Sequence, residues 1–336
     1  METGGSHSYS WLGLAGDSTR SRKDGMPIAS FPGGQITGAT VRHMVTEATA
    51  QAEAVLALHE RFRTGVMLTC MDLSLEAEAF GAEVQFGDDE VPTVVGQRIR
   101  DLTEIHRLPI PPVGAARTGM ALRVVGELVR RKPGVDVLAG VTGPFSIAAR
   151  LLGVSEALLL TLEEPAQVRT LVDRCAIFLE GYIKALRDAG AVGVFMAEPT
   201  AGLMSPAAVA EFCTPAVAGL VASVRGDRFA VLLHNCAARP AHLPALLAAG
   251  ARGLHFGAPM DLAEALAAAD PVTWVFGNLD PARLFVAGTP DTVRTAATEC
   301  RDRFGDDPRF VLSSGCDLPR ATPLANLEAF FEAARS

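Results

Sequence analysis

Residues 229–237 read Phe-Ala-Val-Leu-Leu-His-Asn-Cys-Ala, an apolar run that ends in an imidazole and a thiol one residue apart. A short run of this kind, uninterrupted by polar residues, has the pattern of a strand buried on both faces, as in a parallel sheet. Seven other segments share the pattern: 27–31 (PIASF), 66–71 (VMLTCM), 135–141 (VDVLAGV), 192–197 (VGVFMA), 253–256 (GLHF), 272–276 (VTWVF) and 309–313 (RFVLS). Helical periodicity lies between them. Over 40–62 it puts Val41, Met44, Val45, Ala48, Ala52, Val55 and Phe62 on one stripe, and residues 166–186 repeat the arrangement around Leu171, Cys175, Phe178 and Tyr182. Ser205-Pro206 and Thr322-Pro323 each read as an N-cap followed by proline at the first helical position.

Strands alternating with helices predict a parallel sheet, and eight such units predict an α/β chain folded as a single-domain (β/α)8 TIM barrel over residues 26–336. An open doubly wound sheet is the alternative. It is disfavoured because no glycine-rich phosphate fingerprint follows a first strand. The long interval 72–134 is expected to hold extra helices or an active-site loop.

Composition narrows the function classes. Hydrophobic residues make up 49% of the 336-residue chain but aromatics only 6%, so the core is built mainly from Ala, Val and Leu, which suits an enzyme scaffold better than an aromatic-rich binding surface. A net charge of −8 gives no basic field for a phosphate backbone, and nucleic acid is not an expected partner. No apolar run is long enough to span a bilayer, so no membrane partner is expected either. Residues 1–25 lack the apolar core of a secretory signal and read as a flexible leader. Six dispersed cysteines do not form the dense framework of a small secreted domain; reduced thiols and a cytoplasmic setting are expected.

In a barrel, chemistry gathers at the C-terminal ends of the strands. Here those ends carry Gln35, Asp72, Thr142, Glu198, His234 with Cys236, His255, Asn278 with Asp280, and Cys316. Any strand must also end in a polar loop, so each position has a purely structural reading as well. His-X-Cys with a distant Cys suits zinc, since imidazole and thiolate match a borderline-soft ion and three protein ligands leave one tetrahedral position open. Spacing i, i+2 on an extended chain brings both side chains to one face. The alternative is a buried strand-end histidine with two inert thiols. Cys175, Cys213 and Cys300 read as small core hydrophobes, and Cys70 could face either side of its strand.

Several stretches together carry a family resemblance: MDLSLEAEAFGAEVQF (71–86), VTGPFSIAARLLG (141–153), GAVGVFMAEPTAGLMSP (190–206), LLHNCA (232–237), FGNLDPARLFVAGTPDTV (276–293) and SSGCDLPRATPLANL (313–327). From Met26 onward the chain resembles the uroporphyrinogen decarboxylase superfamily and, within it, the zinc-dependent methylcobamide:coenzyme M methyltransferase branch. The arginine-rich RQAGR loop of the true decarboxylases is absent. Residues 31–35 read FPGGQ instead, removing charge-assisted partners for a polycarboxylate tetrapyrrole.

The resemblance implies zinc (Zn2+) held by His234, Cys236 and Cys316, and methyl transfer from a methylcobamide to a thiol such as coenzyme M through a zinc-bound thiolate. It implies catalytic or substrate-binding roles for Asp72, which lies where the decarboxylases place their central aspartate; a helix cap is an equal reading of this residue. Glu198 is expected either as a temporary fourth ligand or as a partner of His234. His255 and Asn278 are candidates for substrate contact, with a structural histidine and a turn-forming Asn as their plainer readings. No Asp-X-His-X-X-Gly corrinoid signature occurs in the chain, so a separate corrinoid protein is the expected partner. Competing expectations are a metal-free decarboxylase, a corrinoid-to-tetrahydrofolate methyltransferase, and a non-catalytic corrinoid-binding relative.

Overall fold

The computed structural model describes residues 24–226 and 229–336. Nine strands are present among them: β1 (Val66–Leu68), β2 (Glu83–Gln85), β3 (Thr93–Val95), β4 (Asp136–Thr142), β5 (Gly193–Ala197), β6 (Ala230–Asn235), β7 (Gly253–Phe256), β8 (Trp274–Leu279) and β9 (Phe310–Ser314). Seven form one sheet in the order β1-β4-β5-β6-β7-β8-β9, and every neighbouring pair in it is parallel. β2 and β3 form a separate antiparallel pair. Between successive strands of the main sheet the chain returns through helices, the longest being Pro165–Asp188.

The sheet sorts its side chains by the two-residue period of a strand. Val194, Met196, Val231, Leu233, Leu254, Phe256, Val275 and Leu312 face outward into the large core shared with the helices. Phe195, Ala197, Ala230, Leu232, Trp274, Phe276 and Val311 face the other way and form a second cluster. That inner cluster also contains Val66 and Leu68 from one edge strand, together with Met26 and Ile28. Residues from opposite edges of a sheet share one interior cluster only if the sheet curls around it. No single helix among the described residues is long and apolar enough to cross a membrane.

Seven of the eight expected strands are present, and their observed bounds fall within a few residues of those read from the sequence. The expected strand over 27–31 is not one, and a fully strand-lined eight-membered barrel is therefore not what the backbone displays. Pro27 has no N–H to give to a ladder. The segment is nevertheless tied to the sheet: Met26 N–H donates to Leu312 O (2.8 Å), Leu318 N–H to Ile28 O (2.8 Å), and Ile28 N–H to Ser314 Oγ (2.9 Å).

Other differences are local. The helix expected over 40–62 is broken into Val41–Thr46 and Ala48–Phe62 by an extended Glu47. Ser205 caps its helix as expected, accepting from Ala208 N–H, whereas the last helix begins at Leu324 with no side-chain cap from Thr322. The 72–134 interval holds short helices, the β2–β3 hairpin and the Thr118–Arg131 helix. Residues 1–23 of the expected leader lie outside the described residues. Asp24, expected in that leader, pairs with Arg335 at 3.2 Å.

Candidate metal centre

β6 and β7 run in parallel register with His234 opposite His255. Both follow the inward parity of Leu232 and Phe276, so both rings point into the interior, where they are almost fully buried. Cys236 lies just past the end of β6, and Cys316 just past the end of β9. In a flat sheet strands three places apart are about 14 Å from each other. The curl removes that distance: Cys316 Sγ lies 3.6 Å from His234 Nε2. The ligand atoms of His234, Cys236 and Cys316 all lie within 4.8 Å of one another, and among the described residues no other set of three or more His, Cys, Asp or Glu side chains converges in this way. Gly257 makes room for the rim, since a Cβ there would stand 2.0 Å from the Cys236 carbonyl oxygen.

This donor set fits zinc. Tetrahedral bonds of about 2.05 Å to nitrogen and 2.3 Å to sulfur place those two atoms about 3.5 Å apart, close to the observed 3.6 Å. Both thiols are half-buried, so each keeps part of its surface exposed. The Cys236 thiol is pulled down by the hydrogen bond from Cys316 and further by His234, against an opposing effect of burial. Cys316 is pushed up by the Cys236 thiolate beside it and by burial. The pair thus already favours one thiolate, the form a metal requires.

His234 turns its other nitrogen, Nδ1, to His255 Nδ1 at 2.9 Å. His255 Nε2 meets Ser313 Oγ at 2.8 Å, and the Ser313 hydroxyl donates to the Met26 carbonyl. Rings of Phe195 and Phe276 flank His255. Burial pushes His255 well below the ordinary imidazole range. Sequence reasoning offered His255 as a substrate contact or a structural histidine and missed this role as the partner of His234. The available signal was that each histidine stands within one residue of the C-terminal end of its predicted strand, 229–234 and 253–256.

Glu198 follows directly on the end of β5, with its carboxylate engaged by a neighbouring helix. Its carboxylate accepts from the N–H groups of Phe145 and Ser146, each at 2.9 Å, at the start of the Pro144–Leu152 helix. Both oxygens are thereby engaged at a helix N-terminus, where anions are favoured, and neither ring nitrogen of His234 is bonded to Glu198. Asp72 lies ahead of the Leu75–Ala79 helix, whose N-cap is Ser74 with no side-chain cap: Asp72 Oδ1 accepts from Ser74 N–H (2.9 Å) and Ser74 Oγ–H (2.6 Å), while Oδ2 accepts from Arg117. Arg117 also binds Glu78 (2.6 Å) and Ser74 Oγ (2.8 Å) and lies over the Phe86 ring. Asn278 donates to the carbonyls of Gly257 (3.0 Å) and Met260 (2.7 Å), which fixes the loop after β7, and Asp280 caps the turn that follows.

Beside this rim lies Glu76, fully buried and accepting from Thr142 N–H at 3.0 Å. Burial pushes both Glu76 and Glu198 up to about 7. Between about pH 4.5 and 7 the folded chain therefore retains protons that the unfolded chain releases, so these two groups make stability fall as pH rises across that window. Replacing Glu76 by Gln keeps an acceptor for Thr142 and removes the titration. Urea unfolding at pH 5 and pH 7.5 is expected to show a smaller loss of stability with rising pH in E76Q than in the parent, and an unchanged difference would contradict the assignment.

A curled parallel sheet that gathers one imidazole and two thiols at its C-terminal rim defines an α/β protein with a candidate His/Cys2 metal centre. The chain belongs to the uroporphyrinogen decarboxylase (URO-D) family, whose sequence profile matches residues 31–336. Its relatives include the methylcobamide:CoM methyltransferase MtbA of Methanosarcina mazei, 27% identical over 299 residues with 86% of each chain covered. A methylated-thiol–coenzyme M methyltransferase of the same organism is 26% identical, covering 79% of this chain and 70% of the relative. A uroporphyrinogen decarboxylase of Aromatoleum aromaticum is also 26% identical, covering 78% of this chain and 76% of the relative. A solved methyltransferase structure from Methanosarcina mazei superposes with a TM-score of 0.83 at 22% identity, covering 94% of this chain and 97% of that one, a likeness of fold.

Proposed function

We propose that this chain is a methyltransferase that moves a methyl group from a methylated corrinoid, carried by a separate protein, to a thiol such as coenzyme M. One observation carries the reading: His234, Cys236 and Cys316 converge at the rim of the sheet with their ligand atoms within 4.8 Å of each other. These three residues would hold zinc, which when bound deprotonates the acceptor thiol and keeps its sulfur nucleophilic.

The residues of the chain do the rest. His234 would supply a nitrogen ligand and the two cysteines negative charge to a metal held between them, which would keep an acceptor sulfur at the site electron-rich. The acceptor sulfur attacks the methyl carbon, the cobalt–carbon bond breaks, and its electron pair remains on cobalt as cobalt(I). No acid group has to protonate a leaving group, consistent with Glu198 being committed to a helix terminus and Asp72 to Arg117. Methylcobamide relatives and the absence of an arginine-rich loop at 31–35 both favour this over decarboxylation.

Segment 27–31, with Met26 before it, takes the place of the eighth strand in this reading and closes the sheet into a (β/α)8 barrel. Its bonds to Leu312, Ser314 and Leu318 support that closure. The corrinoid protein would approach the C-terminal rim, with the 72–134 interval beside it, and reduced thiols suit a cytoplasmic setting.

Free methylcobalamin and a panel of thiols test the reaction. We expect cobalt(I) to appear with at least one thiol and to be suppressed by a zinc chelator. Decarboxylation of a porphyrinogen by chelator-treated protein, with no thiol-dependent demethylation, would replace this reading, and transfer to tetrahydrofolate alone would change the acceptor.

A further inference from the structure

We propose that His255 is a positioning residue for the metal centre: together with Ser313 it locks His234 as the tautomer whose Nδ1 carries the proton and whose Nε2 lone pair faces Cys316. This inference rests on the proposed metal site only for its consequence, not for the tautomer itself.

The direction of the proton chain is set at its far end. The Met26 carbonyl can only accept, so the single hydroxyl proton of Ser313 goes to it. Ser313 Oγ must then be the acceptor in its 2.8 Å contact with His255, which puts a proton on His255 Nε2. His255 is completely buried; around it lie the rings of Phe195 and Phe276, the imidazole of His234 and the uncharged backbone of Ser314, and no carboxylate is bonded to it. An imidazolium there would be an uncompensated buried charge. His255 is therefore neutral, its Nδ1 is a bare lone pair, and the 2.9 Å contact requires His234 Nδ1 to donate. With a proton held at Nδ1, Nε2 is the nitrogen that His234 can offer to a metal, and it stands 3.6 Å from Cys316 Sγ.

The reverse arrangement fails at the other end. It would turn the Ser313 proton toward His255 and leave two oxygens, Ser313 Oγ and Met26 O, in close contact with no proton between them. A backbone carbonyl at the edge of the sheet thus dictates which nitrogen is offered to the metal. Partners of this kind hold a ligand's orientation and basicity, and losing one typically costs 10–100-fold in metal affinity.

Nitrogen-15 NMR of the metal-free, histidine-labelled full-length protein reads the tautomer directly. We expect His234 to carry a proton on Nδ1, and a bare Nδ1 would overturn the inference. Zinc affinity, measured by competition with a chromophoric chelator, should fall about 10–100-fold in His255→Phe. It should return to within a few-fold of the parent in His255→Gln, whose amide can accept from His234 and donate to Ser313. A folded H255F protein with parental affinity would refute the role. If H255F fails to fold, Ser313→Ala replaces it, with His234 then expected to lose its single tautomer; retention of that tautomer would count against the chain. Failure of the parent to bind zinc would sink the metal reading alone, because the NMR result on metal-free protein still decides the tautomer.

Discussion

Cys316→Ala is expected to abolish stoichiometric zinc and, with it, thiol-dependent methyl transfer. The thiol reaches the centre from the loop after β9 and meets His234 Nε2 at 3.6 Å, while its backbone role ends at a half-buried loop position. The substitution therefore removes a ligand without opening a core cavity. Structural zinc sites are worth about 10–16 kcal/mol over four ligands, so one ligand accounts for about 3 kcal/mol, a loss of affinity on the order of a hundredfold or more. Cys236 would also lose the neighbour whose hydrogen bond draws its thiol toward thiolate. Zinc content after gel filtration and the demethylation rate should fall together. Cys300→Ala is the control, since Cys300 packs half-buried on the Pro290–Phe304 helix and lies outside the convergent set. Retention of full zinc by C316A, or equal loss in C300A, would contradict the assignment.

Arg117→Met should unfold the rim at its other side. Arg117 is the cation for Asp72 and Glu78, and the side chain of Asp72 is only 4% exposed. Methionine preserves length and packing over Phe86 but leaves the Asp72 carboxylate buried without its counter-charge. Removing one member of such a pair typically costs 3–5 kcal/mol, a large share of a domain's stability. The exposed pair of Arg42 and Asp88, at 3.7 Å, makes the contrast: Arg42→Met is expected to cost less than about 1 kcal/mol. Urea unfolding of both variants tests the ranking, and comparable losses would show that the Asp72 network is not the buried anchor described here.

How much of this was legible in the sequence depended on whether a feature is set by one segment or by several. Strands β4 to β9 were readable because each is a short apolar run with its own punctuation, and burial on both faces leaves a clear composition. Segment 27–31 has the same composition, but it carries a proline, and the bond from Ile28 to Ser314 depends on a partner more than 280 residues away. His234, Cys236 and Cys316 were found because metal-ligating residue types are few and the i, i+2 spacing is local. Their convergence, which needs the sheet to curl, was an inference from the fold class. The partners of Glu198 were not legible for the opposite reason: a carboxylate at a strand end looks the same whether it faces an ion or a helix terminus. Only the position of the Pro144–Leu152 helix, beginning at a glycine with no side chain in the way, decides between them. A Cβ at Gly143 would stand 2.3 Å from Glu198 Cγ. The tautomer chain was least legible of all, because it runs through four segments and ends on a carbonyl that has no sequence signature.

The most direct test is zinc X-ray absorption of the purified, zinc-loaded protein before and after addition of the acceptor thiol. We expect one imidazole nitrogen and two sulfurs from His234, Cys236 and Cys316 at first, with sulfur coordination rising by one when the thiol binds. Zinc that shows no cysteine sulfur, or a sulfur count that stays the same when a turned-over thiol is added, would contradict the account.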